Sequence, residues 1–230
     1  MINLTFMKMN FGFQKEERLL NRLVLGSIDM ENKIGLLTGQ MGIIIVLALY
    51  ARHKKKPFLE EAADYLFDNM VNKLNCSYGI GLASGIAGIN WGVEFLVQKG
   101  LMPGSADDLC KNLDEYIILN DIFYMTDFSL DNGLLGLWYS IWSRIQGNLI
   151  AGLPLPFNER YLDNWEIVLK NNKEKFPAQA LNRLKDARLG VCYFEQAEIN
   201  KFIELPTELD QKNLSLKNGI AGYIYMNYLK

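Results

Sequence analysis

Gly81-Leu82-Ala83-Ser84-Gly85-Ile86-Ala87-Gly88 sets the architecture of the chain, because its frame returns in three further places. Gly35-Leu36-Leu37-Thr38-Gly39-Gln40-Met41-Gly42 precedes it. Ser129-Leu130-Asp131-Asn132-Gly133-Leu134-Leu135-Gly136 and Ser215-Leu216-Lys217-Asn218-Gly219-Ile220-Ala221-Gly222 follow it. The middle glycine recurs at 39, 85, 133 and 219, at intervals of 46, 48 and 86 residues, the last close to twice the unit. Self-similarity at that period marks stacked supersecondary units, and the wide interval implies a degenerate repeat at about 147–213. Ten of the 19 glycines fall in the repeat columns, so glycine is used positionally.

The column before the middle glycine holds Thr38, Ser84, Asn132 and Asn218. Such side chains accept hydrogen bonds from the orphan N–H groups of a helix start, so each copy is expected to open a capped helix. The segments that follow, 43–50, 89–97, 137–145 and 223–229, are apolar on nearly every side, and a helix without a polar face must be surrounded. Arg52 with His53, Lys99, Arg144 and Lys230 read as cations at the helix exits, and Gly100 and Gly147 as left-handed stops.

Amphipathic segments lie between these inner helices. From Pro57 to Leu74, Leu59, Ala62, Ala63, Leu66, Phe67 and Met70 fall at helical spacing. Ser105 and Asp108 form a capping box before Leu109, Leu113, Tyr116 and Ile117, and Asn158 precedes Tyr161, Leu162, Trp165, Val168 and Leu169. Residues 11–25 make a first outer helix, Gly147 to Pro156 a linker, and Leu181, Leu184 and Leu189 before Gly190 the remnant of a lost inner helix. The expectation is one all-α domain over residues 1–230, an array of helical hairpins each covering its neighbour's apolar face.

A net charge of −2 with 50% hydrophobic and 22% charged residues describes a globular chain with no electrostatic footprint for nucleic acid. The longest uncharged apolar stretch begins at Met41 and stops at Arg52, short of the roughly 18 to 20 residues of a membrane span. The amino terminus lacks a basic lead with a clean apolar run, so a cytoplasmic protein is expected. Cys76, Cys110 and Cys192 lie far apart, which gives no disulfide framework, and the first two read as small core hydrophobes.

On the framed turns and their following helices, residues 14–146 and 213–230 resemble the lanthionine synthetase C-like family. That resemblance implies an α/α toroid whose inner helices open with a Gly-x-x-Gly turn, here incomplete because the chain holds too few hairpins for a full ring. Its zinc-dependent cyclases hold the metal with two cysteines and a histidine in Trp-Cys-Tyr-Gly and Cys-His-Gly type motifs. Neither motif occurs: Cys192 lies between Val191 and Tyr193, and the only histidine, His53, sits at an inner-helix exit. The resemblance therefore implies a protein without metal or other cofactor, an accessory in peptide modification that binds a peptide substrate or a peptide-modifying enzyme.

Candidate site residues follow from chemistry. Asp127 and Asp131 flank the third turn and can act as a carboxylate pair or simply favour a helix start. Glu94 is the single acid of an inner helix, and a carboxylate among apolar neighbours needs a wet cavity or a partner such as Arg144. Asn132, Asn90, Trp91, Trp138 and Trp142 line a ligand groove if they face a lumen, and pack as core if they do not. The run from Arg52 to Lys56 reads as dipole complement and solvated face. Two readings compete with peptide binding: a carboxylate-based glycoside hydrolase or lyase, and an open half-ring whose apolar edge pairs with a second copy or another protein.

Overall fold

A computed structural model describes residues 4–28, 30, 33–74, 78–193 and 198–229, with side chains from residue 14 onward. Among these residues there are nine α-helices and no strand: α1 (Leu4–Ile28), α2 (Gln40–Lys54), α3 (Pro57–Asn72), α4 (Ile86–Gln98), α5 (Ala106–Ile118), α6 (Leu134–Ala151), α7 (Glu159–Asn171), α8 (Ala180–Arg188) and α9 (Ile220–Ile224). A π-helical turn, Tyr225–Leu229, follows α9. The helices fall into two compact units: one holds α1, α2, α3 and α9, the other α4 to α8 together with the segment Ile34–Leu37. No described helix is long and apolar enough to cross a membrane.

Burial alternates along the chain as the pattern of apolar residues dictates. α2 buries ten of 15 residues, α4 eleven of 13 and α6 twelve of 18. The helices between them bury one stripe each: Leu59, Ala63, Leu66 and Met70 in α3, and Tyr161, Leu162, Trp165, Val168 and Leu169 in α7. α2 pairs with α3 in the first unit, and α4 with α5 in the second, where α6 also packs on α4. Pro57 opens α3, where its missing N–H costs nothing, and the side chains of Ser105 and Asn158 cap α5 and α7.

Several boundaries differ from the sequence reading. α6 runs through Gly147 and stops at Gly152, whose φ of 69° is left-handed, because Gly147 faces the Glu94 carboxylate rather than a turn. Arg144 is accordingly no exit cation: it sits inside α6, fully enclosed. In α5 the enclosed stripe is Ala106, Cys110, Asp114 and Ile117, while Leu109 is 44% exposed. α8 buries only Ala180, Leu184 and Ala187 and leaves Leu189 exposed, so it is amphipathic and not the remnant of a surrounded helix. Cys110 is buried as expected, whereas Cys76 and Lys230 lie outside the described residues.

Candidate functional site

The four framed turns share one backbone device. The first helical amide of each inner helix donates to the carbonyl seven residues upstream: Gln40 to Lys33 at 2.7 Å, Ile86 to Gly79 at 2.9 Å, Leu134 to Asp127 at 2.9 Å and Ile220 to Asn213 at 2.8 Å. That bond already serves an orphan N–H, so the expected side-chain caps are absent: the N-caps are Gly39, Gly85, Gly133 and Gly219, none with a side-chain cap bond. Thr38, Ser84, Asn132 and Asn218 instead lie half-buried or exposed. The glycines are required by crowding, since a Cβ on Gly85, Gly133 or Gly219 would overlap the carbonyl six residues before it. In the second unit the turns stack through main-chain bonds, Leu36 to Leu82 at 3.0 Å, Leu37 to Ala83 at 3.1 Å and Ala83 to Asp131 at 2.8 Å.

Asp127 belongs to this scaffold. Its Oδ1 accepts from the Ser129 amide at 2.7 Å and its Oδ2 from the Ser129 hydroxyl at 2.8 Å. Asn213 holds the same place in the fourth turn, where its Oδ1 accepts from the Ser215 amide at 3.1 Å. A neutral residue thus performs the same loop-shaping as the acid. Asp131 contributes its carbonyl to Ala83, and Asn132 is exposed beside Gly81.

The remaining candidates lie in the interior of the second unit. Trp91, Trp138 and Trp142 are 2%, 2% and 6% exposed, so they are core and present no groove. Trp91 stacks on Phe95 at 5.3 Å, and Trp138 packs between Trp142 at 5.9 Å and Trp165 at 5.5 Å. Glu94 does meet Arg144, whose Nη1 donates to its Oε2 at 2.9 Å. Arg144 also donates from Nη2 to Asp107 at 3.0 Å and Asp114 at 2.8 Å, from Nε to Asp114 at 3.0 Å, and from Nη1 to Asn148 at 3.2 Å. Every N–H of the guanidinium therefore has an acceptor. Asn90 completes the set by donating to Asp114 at 2.7 Å.

Three carboxylates share this one cation, and burial and hydrogen bonding shift them in different directions. Desolvation pushes Glu94 up and Asp114 up to about 6, against the opposing pull of Arg144. Asp107, more exposed, is held below the usual carboxylate range by Asn148 and Arg144. Burial also pushes the Cys110 thiol up, which leaves it without nucleophilic thiolate character. The cluster ties α4, α5 and α6 together, and its guanidinium has no N–H to spare for a ligand.

A cleft of about 1040 Å³ lies wholly in the first unit. Arg18, Arg22 and Leu25 line it from α1, Lys33 and Thr38 from the approach to α2, and Asn218 from the fourth turn. No family model, curated protein or solved structure matches the chain.

Sequence reasoning missed Arg18, Arg22, Lys33 and Lys212, since a charged face on an amphipathic helix reads as solvation until a second segment folds opposite it. It also missed Asp107 and Asp114, which look like solvent-facing acids of α5. Among the described residues no group of three His, Cys, Asp or Glu is placed to hold a metal ion. His53 stands exposed in the last turn of α2.

Proposed function

We propose that the chain is a peptide-binding protein of the lanthionine synthetase C-like type, an accessory to peptide modification that works without a resident metal. The observation that carries this reading is the cleft of about 1040 Å³ between α1 and the fourth turn, with Leu25 68% exposed beside polar side chains. An open apolar residue ringed by hydrogen-bonding groups suits an extended segment better than a small apolar ligand. The shared frame of the four turns supports the family reading, and with it an incomplete α/α toroid. The Trp-Cys-Tyr-Gly and Cys-His-Gly type motifs of the zinc-dependent cyclases do not occur in the sequence, which favours binding over cyclisation. The engagement of both Asp127 oxygens by Ser129 weighs against a carboxylate-based hydrolase.

The test is a fluorescence anisotropy titration of the full chain with labelled peptides of varied composition. Saturable binding of at least one peptide is expected. Leu25→Ser should weaken it by roughly tenfold, the worth of a leucine side chain removed from water. Lack of saturable binding across the panel overturns the reading.

A further inference from the structure

The cleft carries a charge pattern that peptide binding does not by itself require. Arg18 and Arg22, one helical turn apart, line it together with Lys33 and Lys212, against one lining acid among the described residues, Asp210. Among the described residues none of these four cations forms an ion pair. Arg22 donates only to the neutral Gln211 at 3.2 Å, and an Asp210 oxygen accepts from the main-chain amide of Lys212 at 2.8 Å. Two arginines of the other unit do carry counter-charge: Arg188 meets Glu159, Asp163 and Glu166, and Arg144 meets Glu94, Asp107 and Asp114. With a net charge of −2, the chain is not simply basic everywhere.

Cations gathered on one concave face without counter-charge repel one another and raise the local concentration of anions. We infer that this cleft takes an acidic, extended polypeptide segment, with its carboxylates against Arg18, Arg22, Lys33 and Lys212 and an apolar side chain against Leu25. The inference rests on the peptide-binding reading above and names the class of peptide. From Arg18 to Leu25 the wall covers about 10 Å of α1, the reach of about three extended residues. Among the described residues the lining holds no aromatic side chain. A base-stacking platform is therefore missing, which favours a peptide over a single-stranded nucleic acid.

The experiment titrates the full chain with a labelled short peptide of Asp and Glu around one Leu, with its counterpart carrying Asn and Gln, and with an oligothymidylate. The acidic peptide should bind at least about tenfold more tightly than the amide peptide, with an affinity that falls as salt rises. Charge reversal by Arg18→Glu with Arg22→Glu should erase that preference. Lys212→Gln, outside any helix, gives the same direction of change if the double variant folds poorly. Equal binding of the two peptides overturns the inference and leaves peptide binding standing. Binding of neither peptide overturns both, and tighter binding of oligothymidylate overturns the inference in favour of nucleic acid.

Discussion

In the unit of α4 to α8, Arg144 is fully enclosed and its guanidinium is saturated by Glu94, Asp107, Asp114 and Asn148. In the unit of α1, α2, α3 and α9, Arg18 and Arg22 stand exposed with no carboxylate on either. The same side chain is used in opposite ways, and the environment decides which. An enclosed charge has lost its water and must find every partner inside the fold, so it holds helices together. An exposed charge keeps its water at little cost and remains available to something that arrives later.

The strongest way to break this contrast is to remove each arginine in turn. Arg144→Leu leaves buried carboxylates facing one another without their cation, and should lower stability by about 3–5 kcal/mol. Arg22→Leu should stay within about 0.5 kcal/mol of the parent chain. Urea midpoints of the two variants at neutral pH provide the comparison, and similar midpoints would mean that Arg144 does not organise its unit.

A second contrast lies inside one turn. Gly85 is pressed against the Gly79 carbonyl, while nothing stands within 4 Å of a Cβ placed on Gly79 itself. Gly85→Ala should therefore cost about 3 kcal/mol, since the obstacle is backbone and cannot rotate away. Gly79→Ala should be neutral or stabilise by up to about 1 kcal/mol by restricting the unfolded chain. Thermal melts of the pair would show whether crowding, rather than glycine content, makes the motif.

That pair shows how much was legible beforehand. Period and composition exposed the repeat columns, the surrounded helices α2, α4 and α6 and the caps at Ser105 and Asn158, because each depends on residues near in sequence; the fourth segment, 223–229, is no surrounded helix, since α9 ends at Ile224 and the π-helical turn after it buries none of its residues. The glycine columns were visible, but not the upstream carbonyl that enforces them. That contact made the Thr38, Ser84, Asn132 and Asn218 caps unnecessary. Glu94 pointed to Arg144, because a lone acid in an apolar helix demands a cation. The rest of the cluster stayed hidden: Asp114 shares its stripe with Cys110, and a stripe that mixes acid and apolar residues resembles a surface until α6 supplies Arg144. The cleft needed segments far apart in sequence, Arg18 with Lys212, which no local pattern links.

The smallest expected effect concerns protons. Burial raises Asp114 to about 6 in the folded chain, above the ordinary carboxylate value it regains on unfolding. The folded state therefore binds this proton more tightly. Its contribution to stability is largest below the unfolded value and is lost as pH rises from about 4 through about 6. Glu94 is raised by the same burial and adds in the same direction, while the lowered Asp107 acts oppositely and chiefly below pH of about 4. Between pH of about 4 and 6 the chain should lose on the order of 2 kcal/mol from this cluster. Asp114→Asn, which cannot titrate, should flatten that part of the profile, measured as urea midpoint against pH. The exposed arginines of the cleft bear no such coupling, so Arg18→Gln with Arg22→Gln should leave the slope intact. A slope that vanished in the cleft variant and survived in Asp114→Asn would place the proton-linked site in the wrong unit and dissolve the contrast between enclosed and open charge.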